Sequence, residues 1–188
     1  MVQTSIRTVS LQEFLQQPET KPASEYIDGE IVQKPMPKTN HSRIQTKISA
    51  KIDSVLEEKK VAIALTEQRC VFSGQAIVPD ITVLTWSNIP HLSDGTMKDD
   101  DLPIAPPWMI EILSKGQSQS KVMKKILHAL SNGSEMGWLI DPRDKYVSVY
   151  RPNLSTALFE MSEQTLPVPE FVTSFELTVG ELFSWLVL

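Results

Sequence analysis

Apolar residues recur along this chain in two rhythms. Between Asn40 and Lys60, Ile44, Ile48, Ile52, Val55 and Leu56 fall on one side of a helix, so the spacing predicts a long amphipathic helix there. Val122, Ile126, Ala129 and Leu130 form a second stripe. It predicts a helix from about Gln119 to Asn132, closed by Gly133. Short aliphatic and β-branched runs predict buried strands at Val61–Phe72, Ala76–Leu84 and Trp108–Leu113. Further strands are expected at Gly137–Asp141, Tyr146–Tyr150 and Ala157–Phe159.

Local signals fill in the rest. Ser10 followed by Glu13 reads as a capping box opening a short helix that Pro18 and Pro22 terminate. Asp28-Gly29 inside Tyr26–Val32 reads as a tight hairpin, and Pro35 and Pro37 break its second strand. A closing helix is expected over Val179–Leu186. The polar stretch His91–Pro107, with Gly95 and Asp99-Asp100-Asp101, is too long for a passive connector, so it is expected to be mobile or functional. The order predicts one domain over residues 1–188 of the α/β (α+β) class, a mixed central β-sheet flanked by helices. Its parts would be an N-terminal helix and hairpin (10–33), a core (40–150) and a C-terminal strand and helix (156–188). The long helix is expected on one side of the sheet and the Gln119 helix on the other.

Composition narrows the chemistry. Apolar residues make up 41% and charged residues 22% of the 188 positions, ordinary for a globular chain. The single cysteine, Cys70, excludes a disulfide framework and a cysteine-rich zinc site. No apolar stretch approaches the roughly 18 residues of a membrane span. Met1–Arg7 lacks an apolar signal core, so the cytoplasm is the expected location. A net charge of −5 argues against a broad basic face. Lysines and arginines nevertheless gather from Lys34 to Lys60 and from Lys115 to Lys125, either as a local basic groove or as solvated helix faces. No Gly-rich phosphate loop, His-Glu-x-x-His run or nucleophile elbow is present. His41, His91 and His128 are the only histidines, which leaves few bases for a triad.

What remains is acidic. Asp80 follows Pro79 within one buried run, and Glu111 lies within another. A carboxylate in a buried strand is costly unless it is paired or ligated. Two of them, followed by a lysine-bearing helix, suit a hard divalent cation, since magnesium needs only one or two carboxylates. The competing roles are structural: Asp80 as a strand cap, Glu111 as the ion-pair partner of Lys125. Gln68 and Arg69 could face a phosphate, although alternation puts only one of them on a given face. Cys70 and Trp138 read as core.

These residues, in order, resemble the PD-(D/E)xK nuclease superfamily, and more closely its Uma2 branch. The resemblance runs from Glu25 to about Tyr150. It rests on Glu25-Tyr26-Ile27-Asp28-Gly29-Glu30-Ile31-Val32, His41, Val78-Pro79-Asp80-Ile81, Glu111-Ile112-Leu113-Ser114, Lys125, Gly133 and Trp138-Leu139-Ile140-Asp141-Pro142. The wider superfamily places its lysine two residues after the glutamate, where this chain has Leu113. The Uma2 branch is similar in using a lysine on the next helix. Helical periodicity leaves Lys124 and Lys125 open, and the spacing to Gly133 favours Lys125. The chain departs from the branch at Lys121, where an acid is usual, and at Ala129, where tyrosine is.

The resemblance implies a restriction-endonuclease-like fold and hydrolysis of DNA phosphodiester bonds with Mg2+ or Mn2+. Asp80, Glu111 and the backbone carbonyl of Ile112 would hold the ion, with Lys125 beside it and Glu25 and His41 as accessory groups. By analogy a homodimer is expected. The alternative is an inactive nuclease-fold module for binding or dimerisation.

Overall fold

The computed structural model describes residues 9–172 and 174–188; the Met1–Arg7 segment considered above lies outside them. Helix α1 (Leu11–Leu15) begins as predicted: Ser10 Oγ accepts from the Glu13 amide, and the Glu13 carboxylate accepts from the Ser10 amide. Strands β1 (Ser24–Ile27) and β2 (Glu30–Gln33) form the hairpin, with Asp28 and Gly29 at φ 52° and 85°. Those left-handed angles are what a two-residue hairpin turn requires. Helix α2 (Thr39–Leu56) buries Ile44, Ile48, Ile52 and Leu56. It stops four residues short of the predicted end, and the chain turns at Lys60 with φ 55°.

The predicted strand pair Val61–Phe72 and Ala76–Leu84 is a long hairpin, but it is broken in the middle. Its arms are β3 (Ala62–Thr66) with β4 (Cys70–Phe72), and β5 (Gln75–Ile77) with β6 (Ile81–Thr85). Thr66 pairs with Ile81 and Cys70 with Ile77, so the register carries through the break. Between the arms lie Glu67–Arg69 and Val78–Asp80. Pro79 has no amide to donate to a ladder, and Glu67 sits at φ 54°. The hairpin bends there and enters two sheets.

The remaining elements are β7 (Trp108–Ile112), α3 (Gln119–Ser131), β8 (Met136–Asp141), β9 (Tyr146–Arg151), β10 (Ser155–Phe159) and α4 (Val179–Ser184). One sheet is antiparallel and four-stranded, in the order β2-β1-β5-β4. The other is six-stranded, β10-β9-β8-β7-β6-β3, and mixed because β7 and β8 run parallel. The mixed central sheet flanked by helices is therefore present. The expectation of a single sheet needs correction, because the N-terminal hairpin and the outer half of the bent hairpin form a second one. The 91–107 segment is tied to that sheet through hydrogen bonds between Val71 and Leu102 and between Leu102 and Arg69.

Alternation along β7 divides the core. Trp108, Ile110 and Ile112 pack with the α2 stripe, and Met109 and Leu113 pack with Val122, Ile126 and Ala129 of α3. Trp108 and Trp138 meet edge to face, 4.7 Å apart. Helix α3 lies so close to β8 that a Cβ added at Gly137 would run into Ile126 Cγ2. Gly137→Ala is therefore expected to destabilise by about 1–3 kcal/mol. Thermal melts should show Tm falling by roughly 2–4 °C per kcal/mol, and a smaller loss from Gly137→Ala when it is made in an Ile126→Ala background. An unchanged Tm would contradict this packing.

Candidate active site

The bend in the hairpin positions the site. Asp80 is the last residue before β6, and Ile81 pairs with Ile110, so Asp80 lies opposite Glu111 on β7. By strand alternation both belong to the α3 side of the sheet, with Leu84 and Met109. The Ile112 amide donates to Asp80 Oδ2 at 2.7 Å, which fastens the two strands together just where the ladder ends. Helix α3 contributes Lys125, which lies within the buried stripe rather than beside it. Lys124, one residue earlier, is exposed. The four-stranded sheet contributes Glu25 from β1.

Lys125 is the hub on one side. Its Nζ lies 2.9 Å from Glu25 Oε1, 3.1 Å from Glu25 Oε2 and 2.9 Å from Glu111 Oε1. Glu25 Oε1 also accepts from the Val78 amide at 2.9 Å. On the other side stands Lys34, just past β2. Its Nζ donates to Asp80 Oδ1 at 2.7 Å, to the Val78 carbonyl at 2.8 Å and to Glu67 Oε2 at 3.0 Å. Gln45 of α2 donates to the Asp80 carbonyl and to Glu67. His41 places Nε2 3.4 Å from Asp80 Oδ1 and Nδ1 3.2 Å from Ser114 Oγ. Glu25, Lys34, His41, Asp80, Glu111 and Lys125 are all buried.

Three buried carboxylates thus share two buried ammoniums, an excess of one negative charge. The surplus appears at Glu111. Burial pushes its carboxyl up to about 7, the Lys125 ammonium opposes this, and the Asp80 charge adds to it. Burial acts in the same direction on Asp80, but Lys34 and His41 beside it outweigh that and hold its carboxyl well below the usual range. Burial alone would lower Lys125, yet Glu111 and Glu25 raise it above an ordinary lysine, so it stays an ammonium.

The sign of the resulting pH dependence follows. Glu111 keeps its proton in the folded chain up to about pH 7, whereas the ordinary value is 4.5. Its contribution to stability is complete below pH 4.5 and is lost as pH rises through 7. Asp80, shifted down, acts oppositely and only in strong acid. Urea denaturation without divalent ions should therefore show a loss of up to a few kcal/mol between pH 4.5 and 7, and Glu111→Gln should flatten that slope. A slope unchanged by the substitution would count against the assignment.

The donor set suits a hard divalent cation. Carboxylate oxygens are its preferred ligands, and Glu111 Oε1, although near Lys125, is buried without an aligned hydrogen bond. His41 Nε2 is in the same condition. Ile112, expected to contribute its carbonyl, is seen here through its amide on Asp80.

Of the residues singled out from sequence, Asp80, Glu111, Lys125, Glu25 and His41 come together. Arg69 does not join them; it pairs with Asp101 at 2.8 Å and Glu19 at 3.3 Å. Gln68 bonds the Asp100 carbonyl. Cys70 is fully buried, and that burial pushes its thiol up to about 12. Sequence reasoning missed Lys34, Glu67 and Gln45. Lys34 stood in the basic stretch, but no spacing marked it, because its contacts exist only once the second sheet folds over Asp80.

Two openings reach the cluster. A cleft of about 220 Å³ is lined by Glu25 and Lys125, which remain buried, and by the exposed Lys121 and Lys124. A wider one, about 480 Å³, is lined by His41, Glu67 and Asp80. Lys34, Pro35 and Gln117 line both.

The Uma2 family, described as “Putative restriction endonuclease”, matches residues 11–180, as the order of motifs led us to expect. A crystal structure of “a putative nuclease belonging to DUF820” from Anabaena variabilis ATCC 29413 is similar over 95% of this chain and 99% of that one. The two share 49% identity with a TM-score of 0.92, so the mixed α/β fold is common to both. No curated protein matches this chain.

Proposed function

Since this chain belongs to the Uma2 family, we propose that it hydrolyses phosphodiester bonds of DNA with a divalent cation, Mg2+ or Mn2+. The observation that carries this reading is the gathering of Asp80, Glu111 and Lys125 in one buried cluster, of which Lys125 lines a cleft also lined by Lys121 and Lys124 and Asp80 lines the wider opening. Asp80 and Glu111 would hold the ion. When bound, it supplies an acidified water and neutralises charge gathering on the phosphate.

The chain's own groups do the rest. Lys125, fixed as an ammonium, cannot take a proton. Glu25 accepts two of its N–H groups, and the one near Glu111, which makes no aligned bond there, is left to donate to an attacking water or to the phosphoryl oxygens. Glu25 orients that amine. Lys121 and Lys124 provide cations at the rim for flanking phosphates, a salt-sensitive contribution. With a net charge of −5 over the chain, DNA would be held at local basic clusters such as this one rather than on a broad basic face. Cutting both strands takes two such sites, and a homodimer is the proposed assembly. Among the described residues no helix is long and apolar enough to cross a membrane.

Calorimetric titration of Mg2+ and Mn2+ tests the proposal. Binding that is lost in Glu111→Gln, together with metal-dependent nicking of plasmid DNA, is the expected result. The contact of each buried acid with a lysine, Asp80 with Lys34 and Glu25 and Glu111 with Lys125, favours a second reading, a silent module for binding or dimerisation. Absence of binding at millimolar metal would establish that reading and remove the first.

A further inference from the structure

Lys34 is the buried charge that the proposed hydrolysis does not use. Its ammonium has three N–H donors, and they meet three acceptors: Asp80 Oδ1, the Val78 carbonyl and the Glu67 carboxylate, at 2.7, 2.8 and 3.0 Å. No donor is left for a substrate. An oxygen cage of this kind is what a small cation occupies.

The surroundings carry the point further. His41, Glu67 and Asp80 each offer one ligand atom, and the three atoms lie within 4.8 Å of one another. His41 Nε2 is buried, faces Asp80 and lacks an aligned partner. The wider opening reaches these groups from solvent. One imidazole and two carboxylates are a ligand set that Mn2+ accepts. Asp80 belongs both to this set and to the Asp80–Glu111 pair, as a bridging carboxylate would in a two-metal site.

We propose that His41, Glu67 and Asp80 form a latent divalent-metal site that the Lys34 ammonium holds shut as a tethered cation, so the wild-type chain takes a single divalent ion. This rests on the nuclease reading, which assigns that ion to Asp80 and Glu111. Lys34 is then a positioning residue. It keeps Asp80 ionised and supplies the second positive charge without a second metal.

The test is Mn2+ titration of the full chain, followed by calorimetry and electron paramagnetic resonance. Wild type is expected to bind one ion and Lys34→Met two, with the spectral broadening of neighbouring ions. Lys34→Arg should stay at one, and Lys34→Met/His41→Ala should return to one. Thermal melts add a second readout, because Mn2+ should stabilise Lys34→Met more than wild type. Two ions in wild type, or one in Lys34→Met, overturn the proposal. So does a Lys34→Met chain that stays unfolded in millimolar Mn2+, since the ion then fails to replace the ammonium. The Glu111→Gln arm separates the two readings. If wild-type binding does not depend on Glu111, the nuclease assignment falls and this proposal with it. If it does, and the Lys34 variants leave the stoichiometry at one, only the latent site is lost.

Discussion

Asp80→Asn is expected to reduce metal-dependent nicking of supercoiled plasmid on the order of 10³-fold or more. The substitution keeps the volume of the side chain and removes its charge. In the wild-type chain both oxygens of Asp80 are engaged, Oδ1 by Lys34 and Oδ2 by the Ile112 amide. An asparagine can present only one oxygen, so its NH2 must face one of these donors. That mismatch in a buried site costs about 1–3 kcal/mol. Lys34 keeps Glu67 and the Val78 carbonyl as partners, so the chain should still fold. The measurement is therefore double: a Tm lowered by several degrees beside a nicking rate at background. Nicking retained at a tenth of the wild-type rate, in a chain of normal melting behaviour, would remove Asp80 from the metal.

Lys125→Met should produce the largest loss of stability. Glu25 and Glu111 converge on one ammonium, and methionine fills its space without its charge. Removing one partner of a buried ionic group leaves uncompensated charge and costs about 3–5 kcal/mol. The carboxylates relieve it by taking up protons, so the variant should be most stable in mild acid and weaken steadily as pH rises. Urea denaturation at pH 5 and pH 8 checks both the size and the direction. Adding Glu25→Gln should recover part of the loss, because one of the stranded charges is then gone. A loss under about 1 kcal/mol at pH 8 would mean that Lys125 does not neutralise this cluster.

Both predictions depend on residues whose relation to the sequence differs. Asp80 and Glu111 were legible because a carboxylate inside an aliphatic run contradicts its surroundings, and such a contradiction calls for pairing or ligation. Lys125 was half legible. Its place among Val122, Ile126 and Ala129 follows from helical periodicity, but periodicity alone left Lys124 open beside it. Burial of α3 against β8, allowed by the missing Cβ of Gly137, turned Lys125 inward and left Lys124 in solvent. Glu25 and His41 entered through the motif order that the family match shares. Lys34, Glu67 and Gln45 left no trace in the spacing.

Apolar spacing, with capping and turn signals, by itself determined where the main helices and strands fall and which face of α2 and α3 is buried. Burial of one stripe or one strand face is a local property, readable from spacing alone. Tertiary structure alone decided that the long hairpin bends at Glu67–Arg69 and Val78–Asp80, that a second sheet closes over the bend, and which lysine meets which acid. Those outcomes depend on how distant segments share one buried volume and balance its charge, and no spacing within a single segment encodes that.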